Sequence, residues 1–109
     1  MSSLAEGALA TIVVNRNSPR DIKVRGLEVY FDGKFVANLQ FGRAVRLSVA
    51  PGEHELKVTN TLYTQKRTLR LEAGQELSFV AGNHLTGLFA PMFLAVGIGP
   101  YKVFLEQSP

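Results

Sequence analysis

The side chains that could do chemistry here are few: two histidines, nine carboxylates and twelve cations, with no cysteine. His54 sits between Glu53 and Glu55 at the head of an alternating run. One imidazole cannot hold a metal without partners, and the chain's other imidazole is the distant His84. On a strand, neighbours face opposite sides, so Glu53 and Glu55 point away from His54. The pattern predicts a histidine at a strand start that hydrogen-bonds the preceding turn. Glu53/Glu55 and Glu72/Glu76 are the acidic near-pairs, and both fall at outward or turn positions. Acid–base work needs one carboxyl in an apolar pocket, and solvated carboxylates lack that difference. Without cysteine there is no thiol nucleophile, zinc–thiolate site, iron–sulfur cluster or blue-copper centre. The nucleophile-elbow, phosphate-loop, dinucleotide and His-Glu-x-x-His patterns do not occur; Gly97-Ile98-Gly99 is a fragment of one, without its third glycine. The residues therefore supply no catalytic, cofactor-binding or metal-binding set. The expectation is a non-enzymatic protein with no cofactor and no small-molecule substrate.

The cations form two groups. Arg16, Arg20, Lys23 and Arg25 are opposed locally by Asp21 alone; Lys66, Arg67 and Arg70 form the second. The net charge is +3. Brought onto one face, these seven residues would make a basic patch able to meet phosphates or anionic headgroups. Single-stranded nucleic acid also needs exposed aromatics to stack on, and Tyr30 and Tyr63 are the candidates. The competing reading is a solvated face and charged guards on edge strands. A nucleic-acid partner is not expected.

The elements that must carry these residues are short. From Leu9 onwards, turn residues recur every 8–12 residues or so, as in sandwiches and barrels. Leu9 to Arg16 reads as a strand, followed by the turn chemistry of Asn15 to Arg20. Leu27, Val29 and Phe31 alternate with Glu28 and Tyr30, and Asp32-Gly33 then leads into Lys34 to Leu39, a hairpin signature. Val45, Leu47 and Val49 alternate with Ala44, Arg46 and Ser48 before Ala50-Pro51-Gly52. His54, Leu56 and Val58 share the inward face of the next run. Asn60 to Thr64 is a loop, and Leu69 with Leu71 face inward ahead of Ala73-Gly74. Gln75 to Ala81 places Leu77 and Phe79 inward, and Tyr101 to Glu106 is the last strand. No 3.6-residue apolar period persists before Gly82. The expected fold is all-β: an antiparallel seven- or eight-stranded β-sandwich.

Three stretches carry a resemblance. They are Val29-Tyr30-Phe31-Asp32-Gly33-Lys34, Val49-Ala50-Pro51-Gly52-Glu53-His54-Glu55-Leu56-Lys57-Val58 and Leu69-Arg70-Leu71-Glu72-Ala73-Gly74-Gln75. Together they resemble the PEGA-like, carboxypeptidase-regulatory-like (transthyretin-like) sandwich, with an Ig-like two-sheet plan. The resemblance spans Val29 to Val80. It implies a non-enzymatic adaptor or appended module, as in small bacterial stand-alone proteins of similar plan. The chain departs from the transthyretin-related hydrolases, which carry more histidines and a C-terminal Tyr-Arg-Gly-Ser; here the end is Phe-Leu-Glu-Gln-Ser-Pro.

One stretch stands apart. Leu77 to Tyr101, 25 residues, bears no formal charge. Once Leu77 to Ala81 is assigned to a strand, Leu85 to Tyr101 would give about 25 Å of helix, short of the ~30 Å of hydrocarbon in a bilayer. Three readings of residues 85–99 stay open: a core-covering loop or short helix before the last strand, an exposed patch for a protein partner or self-association, and an interfacial membrane anchor. Phe89, Met92, Phe93 and Leu94 are the contact residues under the last two. At the N-terminus, Ala8-Leu9-Ala10 mimics a cleavage box, but no basic and apolar regions precede it. The expected organisation is a flexible start over residues 1–8, one domain over 9–106 with an apolar insertion at 84–100, and a tail at 107–109. The expected location is cytoplasmic, with membrane association through 85–99 as the alternative to a protein-binding or self-associating scaffold.

Overall fold

A computed structural model describes residues 8–23, 25–85 and 101–108. Within them lie eight strands and no helix: β1 (Ala10–Asn15), β2 (Leu27–Phe31), β3 (Lys34–Leu39), β4 (Ala44–Val49), β5 (Gly52–Thr59), β6 (Thr64–Leu71), β7 (Glu76–Leu85) and β8 (Tyr101–Gln107). They form two four-stranded sheets, ordered β4-β1-β7-β8 and β3-β2-β5-β6. The alternation read from the sequence sets the inner faces. Ile12 and Val14 of β1, Phe79 of β7 and Leu105 of β8 meet Val29 of β2, Leu56 and Val58 of β5 and Leu71 of β6 in one core. Burying such a side chain stabilises the fold by about 1.5–3 kcal/mol.

The β2–β3 hairpin forms at the expected place. Asp32 and Gly33 have φ of 51° and 81°, the two positive values that let a two-residue turn follow the right-handed twist of its strands.

Two expectations need correction. The fold is not wholly antiparallel: β1 pairs antiparallel with β4 but parallel with β7, Ile12 lying beside Leu77 and Val14 beside Phe79. Alternation reports which face a side chain takes and is silent on the direction of the neighbouring strand. A parallel pair needs a long crossover, here supplied by β2 to β6. The second correction concerns β7, which runs past Ala81 to Leu85, so His84 belongs to a strand paired with Lys102 and not to an insertion. Gly82 continues the strand, and a Cβ there would lie 2.6 Å from the Phe104 ring and 2.8 Å from Asp21 Oδ2. It is a glycine because two neighbours come close, not because the chain turns. Residues 86–100, with Phe89, Met92, Phe93 and Leu94, lie outside the described residues.

One end of the core is polar. Arg16, just past β1, is fully buried. Its Nε donates to Asp21 Oδ2 at 2.7 Å and its Nη2 to Asp21 Oδ1 at 3.2 Å. Nη1 donates to the Arg25 carbonyl and, at 2.8 Å, to the Leu39 carbonyl of β3. Asp21 Oδ1 also accepts from the backbone N–H groups of Lys23 and Asn83. Asn83 Oδ1 then accepts from Asn60 Nδ2 at 2.9 Å. The network links β1, β3, β7 and the end of β5, and so ties one sheet to the other. Lys23 and Arg25 take φ of 66° and 58°, a backbone cost that lets their amide and carbonyl reach this centre. Burial pushes the Asp21 carboxyl up, but the Arg16 guanidinium and the two N–H donors outweigh it and hold it below the ordinary carboxylate value.

Two outcomes follow. Arg16→Met, which leaves a buried carboxylate without its cation, lowers unfolding stability by about 3–5 kcal/mol in urea titration, and Arg16→Met with Asp21→Leu recovers much of that loss. A double variant no more stable than the single one contradicts this account. In wild type, the Asp21 contribution is present above the unfolded carboxylate pKa and fades as pH falls through the lowered folded value.

Candidate binding cleft between two sheet edges

The two open sides of the layered core differ. On the β6/β8 side, Arg67 reaches across and its Nη2 donates to the Leu105 carbonyl of β8. On the β3/β4 side, the described residues show no such strap. There, Val36 of β3 and Val45, Leu47 and Val49 of β4 are half-buried hydrophobics resting against the core. A cleft of about 350 Å³ opens between these edges. Phe31, Val36, Leu47 and Val49 make its apolar wall, and Asp32, Lys34, Ser48, Ala50 and His54 stand at its polar end.

His54 organises that end. Its Nδ1 lies 2.6 Å from Asp32 Oδ2 and its Nε2 lies 2.6 Å from the Ala50 carbonyl oxygen. Both partners are acceptors, so both ring nitrogens donate only when the ring is an imidazolium. Asp32 Oδ1 accepts from the Glu55 N–H at 2.8 Å, and the ring packs on Phe31 with centroids 4.9 Å apart. The clamp joins the β2–β3 turn to the β4–β5 turn. The Asp32 hydrogen bond, opposed by burial and helped by the Ala50 carbonyl, raises the His54 pKa above its ordinary 6.5. The Glu55 N–H and the His54 ring together lower that of Asp32. The sequence expectation of a turn-bonding histidine holds for the Ala50 contact; the Asp32 partner was not foreseen, since it lies a hairpin away. Lys34 enters no ion pair among the described residues.

The other candidate residues are scattered. Arg16 is buried and not part of any surface patch. Arg20 donates to Glu106 at 3.1 Å and lies over the Phe104 ring, and Lys23 lies over Phe41. Arg25 donates to Thr61 Oγ1 at the opposite loop. On β6, Arg67 faces inward with Leu69, whereas Lys66 and Arg70 face outward, because neighbours alternate. The seven cations thus do not share a face. Tyr30 is covered by Lys57 and Phe35, and His84 packs edge-on against Phe104. Glu53 faces Arg70 and Glu76 bonds Arg46. Among the described residues, no three histidines or carboxylates gather closely enough for a metal. Compared with protein-family models, curated proteins and solved structures, the chain matches none.

Because the folded pKa of His54 is raised, the clamp contributes fully below the unfolded value of about 6.5 and weakens as pH climbs through the folded one. Lowering of the Asp32 pKa sets the acid limit: its contribution is lost as pH falls below the ordinary 3.8. In an NMR titration, His54 titrates above 6.5. Asp32→Asn, which keeps a residue suited to this turn, brings it down. A His54 midpoint unmoved by Asp32→Asn refutes the clamp.

Proposed function

We propose that this chain is a non-enzymatic interaction module, a two-sheet domain of PEGA-like or transthyretin-like plan that binds a protein partner. The observation that carries this reading is the open β3/β4 side. Half-buried valines and a leucine line it, a charged clamp holds its rim, and beside them stands Lys34, which enters no ion pair among the described residues. Side chains in such a cleft gain from being covered, and a partner is what covers them.

The membrane reading rests on a different feature. Residues 85–99 are uncharged and rich in phenylalanine and leucine. No helix among the described residues is long and apolar enough to cross a bilayer. An interfacial contact through Phe89, Met92, Phe93 and Leu94 is the form this alternative takes.

Two experiments separate them. A photo-crosslinking residue at Ser48, beside the cleft, gives a discrete heteromeric adduct in cells that make the protein; the same residue at Thr68, on the outer face of β6, does not. Equal yields from the two positions remove the cleft reading. In flotation with anionic liposomes, the membrane alternative requires wild type to rise with the vesicles and Phe93→Asp to stay behind.

A further inference from the structure

Four strands lie at sheet edges, and three of them are guarded. β6 carries Lys66, Arg67 and Arg70, and β8 carries Lys102 and Glu106. In β3 the register passes from Tyr30–Phe35 to Val29–Ala37, so Val36 is an extra residue, and the bulge disrupts that edge. β4 has no bulge and fewer charges than β6 or β8. Its single charge, Arg46, pairs with Glu76 at 2.8 Å.

Among the described residues, the hydrogen bonds say which β4 groups are open. Arg16 N–H donates to the Arg43 carbonyl across the β1–β4 pair. Residues in step with Arg43, namely Val45, Leu47 and Val49, therefore turn their backbone groups to β1. Ala44, Arg46 and Ser48 turn theirs outward, away from β1. A strand laid there would extend the sheet, and its alternate side chains would drop towards Val36, Leu47 and Phe31 in the cleft.

We propose that β4 receives an extended peptide from a partner protein, with apolar side chains at alternate positions and a carboxylate beside Lys34. Resting on the interaction-module reading, this names the partner's chemistry. Charge complementarity selects the carboxylate: at the Val49 end, His54 and Asp32 satisfy each other and Lys34 remains as the net positive charge. The open backbone groups of β4 select a peptide over a fatty acid, which has no N–H or C=O ladder to offer.

The test is a bead library of hexapeptides with free C-termini, holding valine, isoleucine, leucine or phenylalanine at alternate positions, probed with the full chain. Binders emerge. Amidating their C-terminus or introducing Lys34→Glu weakens binding about tenfold, or about 1.4 kcal/mol. N-methylation of alternate backbone amides abolishes it. Ser48→Pro, a change an edge strand tolerates, also abolishes it, with the thermal midpoint retained as the folding control. A library without binders overturns the proposal, as do binders indifferent to N-methylation and to Ser48→Pro. Displacement of every binder by octanoate assigns the cleft to a fatty anion instead. A dimer broken by Ser48→Pro that peptides do not compete with assigns it to a second copy. If Ser48 crosslinks to a protein while the library stays silent, the interaction module stands and the strand-addition mode falls.

Discussion

A guanidinium sealed inside the protein is the constraint around which this fold is arranged. Arg16 has no exposure, so every donor on it needs an acceptor in place before water leaves. Asp21 supplies a carboxylate, and Leu39 and Arg25 supply carbonyls. That requirement fixes the path of the loop after β1, the closeness of β3 to β1, and the glycine at position 82. A hydrophobic core would tolerate small slips between the sheets. A fork of directed hydrogen bonds does not, so the polar end sets how the two layers align.

The opposite logic governs the cleft. His54 is only partly enclosed and its partners lie at the surface, so the clamp adds definition to two turns more than strength to the whole. Between the clamp and the β3 bulge, β4 keeps a straight, lightly charged margin. Arg67, which closes the other side, shows what a sealed margin looks like in the same molecule.

Much of the fold was legible in the sequence because a two-residue period dictates facing. Val29, Phe31, Leu56, Val58, Leu69, Leu71 and Phe79 are inside, as their spacing requires. Asp32-Gly33 announced its turn through the one backbone geometry that combination favours. Strand partners were not legible, because β1 carries no mark that tells a parallel neighbour from an antiparallel one. Arg16 misled for a related reason. A cation among cations reads as surface, and its acceptors include the Arg25 and Leu39 carbonyls and the Asp21 carboxylate, whose approach depends on tertiary structure. Asn60 does open the expected loop, its Oδ1 accepting from the Leu62 and Tyr63 N–H groups, but its second role, donating through Nδ2 to the buried Asn83, depends on a strand far away in sequence. The cleft needed three dimensions as well, since β3 and β4 belong to different sheets.

The parallel pairing of β1 with β7 bears on the order of assembly. In the sheet containing β2, β3, β5 and β6, short turns join β2 to β3 and β5 to β6, and β2 meets β5 across β3 and β4 alone, so its loops close at small entropic cost. β1 can find β4 early, but its other margin stays open until nearly the whole domain has been synthesised. A nascent chain halted before Glu76 would display a half-built layer with the backbone groups of Thr11, Val13 and Asn15 still unpaired along one edge of β1, an exposed margin that the late arrival of β7 covers.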